Sequence, residues 1–325
     1  MTTRILIVIS FLTAASLTAQ ESLFDYLIDS GDTIVINMET DWNKIIRRKE
    51  KKENEALNCV VETKDSTFEF RGKVRSRGNI RLKVCSNPSL KVKLKKKDLL
   101  AAGFSDINDF KLVLQCSNSS LGLSYLRKER LVYELHQIYS PHYHRTIPVR
   151  LRGLDDEDIH GFLIEEEEQL EHRYGKVIKL KKANTRGMQR EAYLNMCLFN
   201  YLILNSDWHI FNLHNVELVS PSENPELIPI PYDFDYSGFV GTSYSVPREG
   251  LNVSSIYVPV WLGKYITSDE MKDMASKFLA NAGRAEALIT NYPGLKKSDR
   301  RRMLKRLEDF NKLMANEKKL LKLIK

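Results

Sequence analysis

Long apolar runs are almost missing from this chain. The one present, Ile5 to Ala15, follows Thr2, Thr3 and Arg4 and precedes the small residues Ser16 to Ala19. It falls short of the ~20 residues a membrane-spanning helix needs, and its layout reads as a secretory signal peptide over residues 1–19. No later stretch reaches spanning length without charges, so the mature chain is expected to be soluble, with no transmembrane segment, and secreted or periplasmic. Cysteine is scarce too. Cys59, Cys85, Cys116 and Cys197 are too few for a disulfide scaffold and lack the short paired spacings of a zinc site. An oxidising compartment leaves room for one bridge. Its expected partners are Cys85 and Cys116, each beside a predicted strand in "RLKVCSNP" and "FKLVLQCSN"; the alternative is four buried thiols. Internal repeats and low-complexity linkers are absent, which sets aside repeat architectures.

Charge of one sign is lacking from most of the length. Residues 296–325 hold twelve Lys or Arg against four Asp or Glu, a surplus of eight equal to the formal charge of the whole chain, +8. A near-neutral body with one basic tail is not a nucleic-acid footprint. Within the tail Met303, Leu307, Phe310, Met314, Leu321 and Ile324 recur at helical spacing, so a helix docked by its apolar face is expected, with a membrane-surface or partner-binding helix as the alternative.

What is there divides in two. Residues 31–180 read mainly as strands, in "TIVINM", "STFEFRGKVRSRG", "SLKVKL", "FKLVLQC", "TIPVRLRG" and "GFLIEE". One helix interrupts them, "LSYLRKERLVYELHQIY", with Leu123, Leu126, Leu131, Leu135 and Ile138 as its core stripe. After residue 185 the periodicity turns helical, first in "QREAYLNMCLFNYLILN" and again from Asp269 onward. This order predicts an α+β protein of two lobes, a strand-rich one over 20–168 and a helical one over 169–325.

Three stretches carry chemistry. In "FRGKVRSRGNIRLKV" the cations Arg71, Lys73, Arg75 and Arg77 share one face of a strand that ends at a Gly turn, Gly78 with Asn79. Such a face can hold phosphate or be the solvated side of an edge strand. In "SLKVKL", Lys91 and Lys93 share a face, as phosphate-directed charges or as surface lysines. The third is "SDWHIFNLHNVELV", followed by the polar loop "SPSENPE", the apolar strand "LIPIP" and "YDFDYSG". A hairpin there returns Asp233 and Asp235 to Asp207 and Asn212, a cluster of oxygen ligands suited to Mg²⁺ or Mn²⁺ with one carboxylate left as a base. Turn-forming Asp and Asn supply the competing explanation.

The five-residue step from Asp207 to Asn212 matches the D-x-x-x-x-N loop of protein kinases, and "YDFDYSG" stands where their D-F-G segment stands. The pieces "RSRGNIR", "SLKVKL", "YLRKERLVYEL", "IPVRLRGLDDEDIHGFLIEE", "NSDWHIFNLHN" and "IPYDFDYSG", in that order over about residues 68–241, resemble the CotH kinase family, atypical secreted kinases named for a spore coat protein. The resemblance implies an atypical protein-kinase-like fold that transfers the γ-phosphoryl group of ATP to a hydroxyl acceptor, a protein or a small molecule. It casts Asp207 as catalytic base or orienter and Asn212 and Asp233 as metal ligands, with Asp235 as a second candidate. Lys91 would meet the phosphates, held by Glu129; Lys93 and Glu134 are rivals for that pair. Arg75, Arg77, Gly78 and Asn79 would lie over the phosphates, and Ile164 to His172, including Glu165, would connect the lobes beside the adenine. Two other functions stay open: a pseudokinase serving as a surface or assembly protein, and a nucleotide-sugar glycosyltransferase using "DFD" as its Asp-x-Asp motif. The last requires strands and helices to alternate around a nucleotide-binding sheet.

Overall fold

The computed structural model describes residues 20–31, 33–155, 157–221 and 226–325. The expected signal peptide, residues 1–19, lies outside them. Alternation of apolar and charged residues builds seven strands: β1 Ile34–Glu39, β2 Glu55–Glu62, β3 Thr67–Arg77, β4 Ser89–Leu94, β5 Asp109–Leu114, β6 Thr146–Arg152 and β7 Ile159–Ile164. They close into a barrel in the order β1-β2-β3-β4-β5-β7-β6. Every neighbouring pair is antiparallel except the seam, where β1 runs parallel to β6 with Ile34 opposite Val149. Period-two alternation puts Leu90, Val92, Leu94, Phe110, Leu112 and Leu114 inside the barrel, and sends Arg75, Lys91 and Lys111 to its outer face. The strand-rich first half is thus as expected, but its closure into a barrel is a departure. The pairing that closes it joins strands too distant in sequence for periodicity to reveal.

On the outer face Val113 of β5 and Phe162 and Ile164 of β7 are apolar and pack in a second core. That core contains the long helix Ser120–Tyr139 and most of the later helices, Arg190–Leu202, Ser268–Ala280, Ala282–Asn291 and Lys297–Met314. Strands and helices are segregated, which is α+β and not the alternating order a nucleotide-sugar transferase sheet would need. In the basic tail Met303, Leu307, Phe310 and Met314 are buried in that second core. The docked helix, not a free amphipathic one, is what forms. No helix among the described residues is long and apolar enough to cross a membrane.

Three short strands, β8 Lys176–Val177, β9 Val216–Ser220 and β10 Ile228–Pro231, form a separate sheet in the order β10-β9-β8. The expected hairpin is β9 and β10, antiparallel, with Val216 opposite Pro231. The bridge forms between Cys85 and Cys116, Cα atoms 4.7 Å apart; Cys59 and Cys197 are buried thiols.

Candidate active site

The polar stretch after the helix Arg190–Leu202 is held from inside. Buried Asn200 donates to the Met196 carbonyl (2.9 Å) and accepts from Asn205 (2.8 Å), whose own Oδ1 receives the backbone N–H of Asp207 (3.0 Å). Residues 209–214 then fold into a tight hairpin, His209 and His214 exchanging both backbone hydrogen bonds at 3.0 Å. This turns His214 and Asn215 back onto Asp207. His214 Nε2 lies 2.9 Å from Asp207 Oδ1, and Asn215 Nδ2 donates to Asp207 Oδ2 (3.0 Å) and to its carbonyl (2.8 Å). The hydrogen bond to Asp207 holds the His214 pKa above its ordinary value. The geometry needs left-handed backbone at Leu213 (φ 52°) and Asn215 (φ 53°), and such strain persists only where the surroundings enforce it. Asn212 does not take the expected place. It is exposed in the hairpin and its side chain bonds His209, because the hairpin spends three more residues before the chain returns to Asp207. Asn215 occupies the position expected of Asn212.

The sheet brings the second acidic stretch to the same place. Tyr232 N–H donates to the Asn215 carbonyl (3.1 Å), so Asp233 leaves β10 next to Asn215. Asp233 is left-handed as well (φ 60°). Its N–H is fixed by Tyr133 Oη at 2.8 Å, and Tyr125 Oη receives Ser243 N–H at 3.1 Å. Tyr125, Glu129 and Tyr133 are spaced by four on the helix Ser120–Tyr139, so they form one face. That face meets the segment following Asp233. Among the described residues the Asp233 carboxylate has no hydrogen bond or ion pair, yet its charge acts on Glu129, Asp235 and His214.

Glu129 is buried and pairs not with a lysine but with Arg81, at 3.1 Å. The same guanidinium reaches Asp235 at 3.6 Å, and Tyr244 Oη donates to Asp235 at 2.8 Å. Burial raises the pKa of both carboxylates; for Asp235 the nearby charge of Asp233 raises it further. One guanidinium pairs with both acids and also feels the charge of Asp233. Arg81 belongs to the short helix Ile80–Val84, whose C-terminal end is stapled by the Cys85–Cys116 bridge to the strand end just before the long helix. The covalent link therefore sets Arg81 against Glu129.

The expected Lys91–Glu129 pair does not form. Lys91 contacts Asp109 and Glu166 (both 3.2 Å), and Lys93 contacts Asp109 (3.2 Å). Glu134 pairs with Arg130 four residues earlier. Both lysines are on the barrel's outer face, where the register sets Arg75, Lys91 and Lys111 side by side across three strands. Like charges aligned across a sheet cost stability, which Asp109 and Glu166 offset. Lys111 is more buried than Lys91 or Lys93: it lies against Glu217 (3.0 Å) and Glu166 (3.3 Å), with its Nζ 5.6 Å from the ring of Tyr232, the residue before Asp233. Burial pulls its pKa down, and those two carboxylates more than reverse that. Arg77, with no hydrogen bond or ion pair among the described residues, acts electrostatically on Lys111, Glu129, Tyr133 and Tyr232. Gly78 turns the chain with φ 96° and open space around it. Arg75 donates to its neighbour's carbonyl, Ser76, and exposed Asn79 accepts from Lys52. Glu165 is a correction too. It is fully buried, bound by Arg145 and Arg173, so its side chain braces the connection after β7 and cannot hydrogen-bond a ligand.

Lys111, Arg81, Asn215 and His214 were thus missed as site residues. For Lys111 the signal existed: in "DFKLVLQC" it shares the strand's outward face with Val113, which predicts a half-covered lysine. Among the described residues no three His, Cys, Asp or Glu side chains converge tightly enough to hold a metal unaided. The donor set still suits Mg²⁺, which is commonly held by one or two carboxylates together with substrate phosphates and water. Asp233, beside Asn215 and without a side-chain partner among the described residues, supplies such a carboxylate, and its charge and that of Arg77 act on the same Glu129, Tyr133 and Tyr232.

No family model matches the chain, and no curated protein matches it. Among solved structures it is similar to the crystal structure of a Helicobacter pylori proinflammatory kinase, CtkA, at 8% identity and a TM-score of 0.42, over 72% of this chain and 90% of that one. Similarity at that level supports no functional conclusion.

Proposed function

We propose that this protein is a secreted, two-lobed atypical kinase of CotH type that transfers the γ-phosphoryl group of ATP to a hydroxyl acceptor, with its lobes meeting near residue 168. The observation that supports this is the gathering of Asp207, Asn215 and Asp233 from either end of one hairpin, with the Asp233 charge acting on Glu129 of the long helix. Lys111 stands on the strand directly before the helix bearing Glu129, the relation that kinase lysine and glutamate have. It replaces Lys91 as the phosphate-directed charge, with Arg77 over the same space. Asp233, with Asn215, would hold Mg²⁺ or Mn²⁺, which when bound neutralises phosphate charge; Asp235, the other expected ligand, is taken by Arg81 and Tyr244.

Asp207 is fixed by His214, Asn215 and the Asn205 relay, and each carboxylate oxygen keeps a lone pair that can take the acceptor's hydrogen bond. As the acceptor oxygen bonds the γ-phosphorus, the bond to the bridging oxygen breaks and ADP leaves with that electron pair. The hydroxyl proton passes to Asp207. The Cys85–Cys116 bridge and the absence of a spanning helix among the described residues are compatible with an extracellular setting.

One feature favours the pseudokinase instead. Arg81 satisfies Glu129 and Asp235 from within, so this wall of the cleft is complete without nucleotide. Thermal shift separates the two. ATP with Mg²⁺ or Mn²⁺ is expected to raise the melting temperature, because a ligand bound only by the native state stabilises it, and Asp233→Ala to abolish the rise. No response to any nucleotide would leave the assembly protein standing, and a response to UDP-sugars alone would overturn both.

A further inference from the structure

Beside Asp207 runs a groove of about 310 Å³, lined by none of the residues assigned above to nucleotide or metal. It starts at Trp208, the residue after Asp207, and its walls are the hairpin, the segment around Asn184 and the segment Trp261–Tyr265. Two of its aromatic residues are open, Phe211 at 52% and Tyr265 at 76% exposed, over a floor in which Tyr193 and Trp208 are buried, and scattered surface apolar residues rarely come as a lined concavity. The charged members are of one sign. Arg248 and Lys264 line it beside Asn184, Thr185 and His209, and no Asp or Glu does; burial holds the His209 pKa below its ordinary value. Lys182 adds a cation at the rim, its Nζ 5.1 Å from the centre of the Phe211 ring. Of the carboxylates nearest in sequence, Glu270 is bound by Arg190 and the Thr267 cap, outside the groove, and Glu249 is exposed. Arg248 ties groove to site: its Nη1 donates to the Trp208 carbonyl at 2.7 Å, and it feels the charge of Asp207.

We propose that this groove docks the acceptor, and that the acceptor is an acidic polypeptide segment with a large apolar side chain near the hydroxyl that Asp207 receives. The proposal rests on the phosphotransferase assignment and names its substrate class. Charge complementarity selects the sign, since the charged groups at the groove are cations and favour an anionic partner there. The open aromatics select an apolar anchor, the kind of side chain that carries binding energy in a small concave site. A single-stranded nucleic acid could use aromatic and cationic groups too. It is disfavoured because the cations ring one short groove and form no continuous stripe for a backbone, and because a peptide serine, threonine or tyrosine presents a hydroxyl to Asp207 directly.

The test uses three fluorescently labelled peptides of equal length, each with one serine and one phenylalanine, flanked by glutamates, lysines or glutamines. Binding is read by anisotropy without nucleotide, and transfer separately by mass with ATP and Mg²⁺. The acidic peptide should bind at least ~10-fold tighter than the others and lose that advantage at high salt. Lys182→Glu with Lys264→Glu should reverse the preference while leaving the melting temperature unchanged. Acidic-peptide binding lost in the variant, with no transfer to anything, supports the groove and sinks the phosphotransferase assignment. Transfer with no preference among peptides, or a preference the variant keeps, overturns the acidic acceptor and leaves the phosphotransferase intact. Tighter binding of a labelled oligonucleotide than of the acidic peptide overturns the acceptor class.

Discussion

The two ends of the cleft hold the same kinds of side chain in opposite conditions. At the inner end Glu129 and Asp235 are buried around Arg81, and their pKa values rise because burial disfavours the charged form. At the outer end Asp207 is partly open, and its neighbour His214 is pushed toward its protonated form by hydrogen bonding to it. Histidines divide likewise. His136 and His144, deep in the structure, are held neutral with pKa values lowered by burial to about 3. The difference shows how one cleft can combine a rigid wall, whose charges are structural, with a loop whose charges remain available for proton transfer.

The contrast breaks most severely at Arg81. Arg81→Met leaves Glu129 and Asp235 buried without their cation, and loss of ~3–5 kcal/mol is expected by urea unfolding at pH 8. A loss below ~1 kcal/mol would mean that the inner wall is not held by this ion cluster. Next comes acid. In the native state His136 stays neutral, so between pH 6.5 and 5 only the unfolded chain takes up its proton, and stability falls with pH by about 2 kcal/mol at pH 5. The raised carboxylates act with the opposite sign, gaining stability as pH falls through their folded values, so the variant comparison is the informative one. His136→Phe, whose ring would still meet Phe199, should lose about 2 kcal/mol less than wild type between pH 8 and 5.

Asp207→Asn sharpens the comparison at the other end. Transfer should drop by ~10²-fold, the scale of one positioned base, with stability changed by no more than ~1 kcal/mol and nucleotide affinity retained in calorimetry. Asp233→Ala should instead lose metal-dependent nucleotide binding; if the two variants behave alike, the division of roles between them is wrong. The smallest effect is spectroscopic. The His214 titration followed by NMR should move down toward the ordinary histidine value in Asp207→Asn, and an unmoved midpoint would show that the 2.9 Å contact does not set it.

Much of this was legible in the sequence where the cause is local. Alternation in "SLKVKL" marked Leu90, Val92 and Leu94 as one buried face, and the turn-rich break before "LIPIP" marked the hairpin that delivers Asp233. The Cys85–Cys116 pair was foreseen, but only Cys116 follows a strand as expected; the residues before Cys85, read as a strand, form the short helix Ile80–Val84. What failed was partner choice at long range. Glu129 could be placed on a helix, but nothing local says that Arg81, 48 positions earlier, reaches it before Lys91 does. Asn212 was preferred to Asn215 on spacing alone, and a strained hairpin with two left-handed residues overrides spacing.

The barrel's seam has a consequence for the life of the chain before it is folded. Strands β1 to β5 can each add to the last as they are synthesised, but Ile34 has no partner until Val149 arrives. Throughout that interval β1 presents a bare row of backbone groups, the template on which strands of other molecules assemble. Joining such distant segments is also slow, because the intervening loop must be ordered before the contact rewards it. The yield of native protein should therefore depend on how quickly residues 146–164 follow and how crowded the nascent chains are, more than on the stability of the finished barrel. A short peptide copying β6, supplied during refolding, should compete for that seam and trap the barrel open.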